Sequence, residues 1–258
     1  MKELKEIWDY RQMIAGLVRR ELRGRYKGSV LGFLWTFINP LLQLAVYTTV
    51  FSVIMRAGIE KYYLFLFVAL IPWIFFSSSV AGGCSCVLNN KDLVTKIYFP
   101  REVLPIAHVS TGLVNMLYSL IVVVIIVAVS GVKVTPQALL CLPIIIVVEY
   151  AICLGLALIV SAVTVFFRDM EHIMGIIVMA WQFLTPVMYS VEQVPDNIRP
   201  VFNCNPMTQV IVAYRDILYY GTIPKTEALA MSCIWGIISV VIGWRIFRKL
   251  QRRFAEEL

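Results

Sequence analysis

The run Leu120-Ile-Val-Val-Val-Ile-Ile-Val-Ala-Val129 decides the architecture of this chain. No polar side chain interrupts it, and its polarity does not alternate. A strand of a membrane barrel alternates apolar and polar residues over about 10 positions, so a barrel does not fit. Hydrocarbon offers no hydrogen-bonding partner to a backbone amide or carbonyl, and a continuous apolar segment therefore spans as a helix.

Working outward, the run lies inside a longer stretch, Val103 to Val132, without Asp, Glu, Lys or Arg. Similar stretches run from Gly28 to Met55, Tyr62 to Asn90, His172 to Val191 and Ala228 to Trp244. Between Val134 and Phe167 the only acidic residue is Glu149. A bilayer core about 30 Å thick is crossed by roughly 20 apolar residues in a helix. The 258 residues are 60% hydrophobic and 15% charged, against about 45–50% and 25% in soluble domains. The sequence therefore predicts an all-α integral membrane protein with six transmembrane helices. They are expected near Val30–Met55, Tyr62–Gly82, Val103–Val129, Leu139–Phe167, Ile173–Tyr189 and Ala228–Phe247.

Charge gives the expected orientation. Eight Lys or Arg precede Val30, Lys91, Lys96 and Arg101 follow the second stretch, Arg168 follows the fourth, and five more lie between Arg245 and Arg253. The opposite side has Arg56, Lys61, Lys133, Arg199, Arg215 and Lys225. The positive-inside rule then places both termini in the cytoplasm. The net charge of +7 is a membrane feature on this distribution, and nucleic acid is not an expected partner. Residues 1–29 show no signal-peptide pattern, because an amphipathic charged segment comes first. Leu4, Ile7, Trp8, Ile14, Leu17, Val18 and Leu22 recur at helical spacing there, with basic residues between them. This predicts an N-terminal amphipathic helix in the membrane interface.

Segment 190–227 contains four prolines yet is rich in apolar and aromatic residues around Val210 to Tyr220. It is expected to form re-entrant helices on the outer side, since irregular backbone at membrane depth survives only against protein or a wet cavity. Residues 30–247 then form the transmembrane domain and 248–258 a cytoplasmic tail.

Candidate chemistry is sparse. The chain has no Gly-x-x-x-x-Gly-Lys-Ser/Thr phosphate loop, no Gly-x-Ser-x-Gly and no His-Glu-x-x-His. No catalytic residue and no metal site are expected. The six cysteines are scattered, and Cys84 and Cys86 lack a nearby second ligand pair. Glu149 is an intramembrane carboxylate, costly unless it faces a cavity or a partner. It either contacts substrate or another helix, or lies near the outer surface. Phe33, Trp35, Phe37, Tyr47, Phe51, Trp181, Phe183 and Tyr189 suit an interfacial belt or a path on which sugar rings stack. Segment 87–101 mixes charges with Ile97, Tyr98 and Phe99, either as a docking surface or as a membrane-surface connector.

Several motifs resemble the permeases of ABC-type polysaccharide exporters, the group that exports O-antigen, capsule and teichoic acid. They are Arg25-Tyr-Lys-Gly-Ser-Val-Leu-Gly-Phe-Leu-Trp35, Asn39-Pro40-Leu41, Lys96-Ile-Tyr-Phe-Pro-Arg-Glu-Val-Leu-Pro105, Phe166-Phe-Arg-Asp169, Pro186-Val-Met-Tyr-Ser190, and Asn205-Pro-Met207 with Tyr214-Arg-Asp216. The resemblance implies a multi-pass protein of the bacterial cytoplasmic (inner) membrane. It implies a pair of copies working with two copies of a separate ATP-binding subunit, which would hold ATP and Mg while this chain binds no cofactor. The substrate would be an undecaprenyl-linked glycan crossing the bilayer. The first and fifth spans would line the channel with Phe33, Trp35, Phe37, Asn39, Tyr47, Phe51, Trp181, Phe183 and Tyr189. Asn89, Asn90, Lys91, Asp92, Leu93, Lys96, Tyr98, Phe99 and Arg101 would couple to the ATPase. Arg20, Arg23, Arg25, Tyr26, Lys27, Arg168 and Asp169 would form a cytoplasmic gate. A drug or small-lipid exporter, a membrane enzyme acting on lipid-linked sugars and a non-transporting scaffold are the alternatives.

Overall fold

The computed structural model describes residues 2–56 and 58–257, with the backbone alone at 2–4, 25, 26 and 255. Among the described residues every regular element is helical. The chain begins with α1 (Lys2–Asp9) and α2 (Arg11–Tyr26). The first long apolar element starts with a 3₁₀ turn, Gly32–Leu34, continues as α3 (Trp35–Thr48) and ends as a π-helical stretch, Thr49–Ile54. Pro40 lies inside α3 and removes one backbone donor. Next come α4 (Tyr62–Gly83), a short α5 (Lys91–Lys96), α6 (Val103–Val129) and α7 (Pro136–Phe166). Thr135 caps α7 by accepting from the Ala138 amide at 3.3 Å, and Pro136 takes the first turn, where a missing N–H costs nothing. After α8 (Met170–Phe183) follow α9 (Arg199–Asn203), α10 (Pro206–Leu218), α11 (Thr226–Leu250) and α12 (Phe254–Glu257).

Among the described residues, five helices are long and apolar enough to cross a membrane: Gly32–Ile54, Tyr62–Gly83, Val103–Val129, Pro136–Phe166 and Thr226–Arg253. The expected fifth span, Ile173–Tyr189, is not a continuous helix. α8 stops at Phe183 after 14 residues, a rise of about 21 Å. Pro186 explains the stop: it biases Thr185 away from helical geometry and brings no donor.

α4 is the centre of the molecule. It is buried around nearly its whole circumference and packs on α3, α6, α7, α8 and α10. The closest pair, α7 and α11, runs parallel: Gly236 faces Val148 and Ala151, and further along both helices Gly243 and Ser239 face Gly155. Cβ atoms on Gly155 and Gly243 would fall 2.2 Å from the facing backbone. Ser232, Gly236, Ser239 and Gly243 share one buried helix face. Without a hydrophobic force between helices in lipid, such close backbone approach is what holds a pair together.

Parallel packing fixes the ends of the bundle. At the start of α7, Thr135 donates its amide to the Gly221 carbonyl at 3.2 Å. Gly221 has φ +69, and a Cβ there would strike the Lys133 carbonyl oxygen at 2.3 Å, so the turn requires glycine. At the other end, Phe166 meets Phe254 with ring centroids 6.2 Å apart. The chain between Phe166 and Gly221 therefore passes from one end of the bundle to the other.

The Phe254 end carries a second apolar cluster. Val94, Phe99, Val103, Leu158, Val165 and Phe247 pack with Phe254, and Met13, Ile14 and Leu17 of α2 lie against them. The expected tail thus folds back onto segment 87–101 instead of extending away. Substituting Gly155 by Leu is expected to abolish folded protein in detergent-solubilised membranes, read by size-exclusion chromatography. Gly175→Ala, on a helix face with nothing within 4 Å, is expected to leave the thermal midpoint unchanged or slightly raised.

Candidate functional site

The break after α8 puts polar backbone inside the protein. Thr185, Pro186, Val187 and Met188 are buried, and their carbonyls lack helical donors. Side chains supply them. Arg215 of α10, 3% exposed, donates to the carbonyls of Pro186 at 2.6 Å, Val187 at 2.7 Å and Tyr189 at 3.1 Å. Its Nε donates to the Phe65 carbonyl at 3.4 Å, and its guanidinium carbon lies 3.5 Å from the Phe65 ring centroid. Tyr62 donates its hydroxyl to the Met188 carbonyl at 2.7 Å. Asn205, which caps α10, donates to the Leu184 carbonyl at 3.0 Å and to Thr185 Oγ1 at 2.8 Å. The same Asn205 accepts from the Trp181 indole and from the Met207 amide, each at 3.0 Å.

The charge count places Arg215 only among the basic residues of the outer side. It is a buried clamp, because only a five-donor fork satisfies several carbonyls at once. Neither Arg215 nor Asn205 was among the expected site residues. The available signal was an arginine inside an apolar run and an Asn-Pro pair before it.

Glu149 is fully buried within the protein and accepts a 2.7 Å hydrogen bond from the Tyr214 hydroxyl of α10. The carboxyl group tethers α7 to α10.

The expected channel residues fall into two groups. Phe33, 44% exposed, meets Phe37 and Tyr118 edge-on at 5.4 and 5.1 Å between centroids. The Trp35 indole donates to Ser29 Oγ at 3.2 Å. Trp35 and Asn39 line a cavity of about 570 Å³ between α3, α4 and α6. Tyr47 and Phe51 lean on the core, with Phe51 stacked on Tyr62 at 6.4 Å. The second group is on the far flank. Trp181 meets Phe76 of α4 edge-on at 5.1 Å, Phe183 is 61% exposed, and Tyr189 donates its hydroxyl to the Phe183 carbonyl at 2.6 Å. The principal contacts of α3 are with α4 and α6, and those of α8 with α4 and α7. One copy of the chain does not bring the two groups onto one wall. α8 buries only Met174 and Val178 fully, and α3 only Thr36 and Pro40, so both helices leave broad apolar faces uncovered.

Segment 87–101 divides by burial. Tyr98 is 87% exposed and Ile97 54%, whereas Phe99 is 5% exposed and anchors the loop in the second cluster. Tyr98, Lys96, Arg101 and Arg252 line a groove of about 780 Å³. Of the two expected docking aromatics, Tyr98 is exposed, whereas Phe99 is a packing residue and does not present a free surface. Asn89, Lys91 and Asp92 are exposed, and Leu93 packs beside the cluster. Asp92 and Lys96 pair at 3.4 Å across one helical turn. Arg101 bonds the Gln251 carbonyl and sits over the Phe254 ring. The neighbouring Glu102, 1% exposed, accepts from Arg248 at 3.1 Å and Gln251 at 3.0 Å.

Among the expected gate residues, Arg20 bonds the Asn90 side chain and so ties α2 to this loop. Glu21 reaches His108 of α6 at 3.2 Å beside it. Arg23, Lys27, Arg168 and Asp169 are exposed. The side chains of Arg25 and Tyr26 lie outside the described residues.

Replacing Arg215 by Met is expected to lower stability by about 3 kcal/mol or more, because several buried carbonyls lose their donor; thermal unfolding of the detergent-solubilised protein measures this. Phe99→Ala is expected to cost about 3 kcal/mol through the cavity it opens, while Tyr98→Ala leaves the same midpoint unchanged.

Comparison with known proteins places these features. The family model described as ABC-2 type transporter matches residues 12–219. An O-antigen export system permease protein, RfbA, of Myxococcus xanthus is 37% identical over 260 residues, covering 99% of this chain and 98% of that protein. A protein of the same name from Klebsiella pneumoniae is 31% identical, covering 95% of each. The polysialic acid transport protein KpsM of Escherichia coli is 24% identical, covering 91% and 92%. The match runs from α2 through the Arg215 clamp on α10, and this chain belongs to the ABC-2 type transporter family of membrane proteins.

Proposed function

We propose that the chain is the membrane-spanning subunit of an ATP-driven exporter of lipid-linked polysaccharide in the bacterial inner membrane. The observation that carries this reading is its full-length similarity to proteins named as O-antigen export permeases. ATP and Mg would belong to a separate ATP-binding subunit, two copies of which join two copies of this chain. The uncovered faces of α3 and α8 support pairing: a second copy would set the Trp35 flank of one chain opposite the Trp181 flank of the other. A polymer longer than the bilayer is threaded, and threading needs many weak contacts, since one tight site would stall it. Aromatic faces supply contacts of about 1 kcal/mol each.

Both termini would lie in the cytoplasm, with the second cluster facing the ATPase. The exposed Ile97 and Tyr98 would dock on that subunit, and Arg20 would connect its movement to α2 at the cytoplasmic gate. The sixth crossing would be made by α8 and its clamped turn together. α10 would then be a re-entrant helix: it starts at the depth of Leu184, where Asn205 is bonded, and rises to Tyr219, which bonds the Glu60 carbonyl at 2.6 Å.

Vesicles holding this chain, its ATP-binding subunit and an undecaprenyl-linked glycan are expected to move glycan only with hydrolysable ATP. Equal movement without ATP, or hydrolysis indifferent to glycan, would contradict the reading. Tyr98→Glu is expected to retain assembly in the membrane but to cut export about tenfold or more, the loss of one well-packed interface aromatic.

A further inference from the structure

We infer that the open cavity between α3, α4 and α6 within a single copy is a binding site for an uncharged sugar ring of the transported glycan. The inference rests on the export reading and specifies the substrate class at one site.

The chemistry of the walls carries it. The polar lining is Ser29, Asn39, Ser78, Asn115 and Ser119, beside the indole of Trp35. Among the described residues, no Asp, Glu, Lys, Arg or His lines the cavity. Pro40 adds a further polar group. Having no N–H, it leaves the Thr36 carbonyl one turn back without its helical donor, and Ser119 Oγ of α6 donates to that carbonyl at 3.3 Å. Hydroxyls, two carboxamides and the Trp35 indole thus converge among the apolar side chains of Ile71, Ile74, Phe75 and Met116, where polar groups are expensive unless hydrogen-bonded.

An occupant must therefore hydrogen-bond in both directions and present an apolar face to Trp35. An uncharged occupant fits best, because the described walls offer no counter-ion to offset the desolvation of a charge. A neutral pyranose meets all three demands. A phosphate or a carboxylated sugar fails the last. The volume, about 570 Å³, falls within the range of small-ligand pockets. Gly112 sets the width: a Cβ there would stand 3.1 Å from the Phe75 ring and 3.2 Å from Ser79 Oγ.

The test uses the permease–ATPase complex in vesicles and two photoreactive probes. One is a polyprenyl-pyrophosphoryl oligosaccharide of neutral hexoses, and the other is its counterpart of equal length made of uronic acids. Each carries a diazirine on its sugar, and export of the unmodified neutral glycan is measured in parallel. The neutral probe is expected to label peptides containing Trp35 or Asn115, and the uronic probe to leave them unlabelled. Asn115→Leu is expected to reduce that labelling about tenfold, the value of one sugar hydrogen bond. Asn39→Leu, on the exposed side of α3, is expected to do the same and serves should Asn115→Leu fail to fold. Export by the wild type with no label in the cavity, equal labelling by both probes, or labelling unaffected by either variant would overturn the inference while leaving the export reading in place. Absence of both export and label would overturn the two together.

Discussion

A carbonyl without a donor costs several kcal/mol in hydrocarbon, and this chain places a run of them inside its bundle. Everything around the turn from Leu184 to Tyr189 answers that constraint. Arg215 serves three of its carbonyls and Phe65, Asn205 serves Leu184, and Tyr62 serves Met188. The donors come from α4 and α10, so satisfying the turn also fixes where those helices sit. Glu149 and Tyr214 add the opposite tie, joining α10 to α7. A continuous helix would need none of this.

The second organising contact is the parallel approach of α7 and α11. Glycine and serine on the facing sides let the two backbones touch, which locks their register in a medium that contributes no hydrophobic force between helices. That register positions Phe247 and Phe254 beneath segment 87–101 and brings Arg248 to Glu102. A rigid pair thus underlies the exposed Tyr98. Phe99 and Glu102 join this loop to α7 and α11. α3 is built in the opposite way. It has a proline, a π-helical end and few buried residues, all features of an element that can shift against the rest.

Aromatic residues illustrate how one residue type splits into different roles. The Trp181 indole is bound to Asn205 and its ring rests on Phe76. Trp35 instead faces a polar cavity. Tyr98 and Phe99 are neighbours in sequence, yet one is exposed and the other is packed. In each pair the residue type and the local pattern are nearly the same, and the surrounding helices assign the role.

The sequence by itself determined that this is a helical membrane protein, where its long apolar helices lie to within a few residues, and which family its motifs resemble. Those properties are local: an uncharged run needs only lipid to become a helix, and a motif is read in place. Tertiary structure alone decided that Arg215 clamps the turn after Phe183, that Glu149 is buried against Tyr214, and that α3, α4 and α6 share one open cavity. The reason is distance along the chain. Arg215 bonds Phe65 from 150 residues away, and Glu149 meets Tyr214 across 65. No periodicity or composition within one segment encodes a partner so remote, whereas packed helices bring the two within hydrogen-bonding reach.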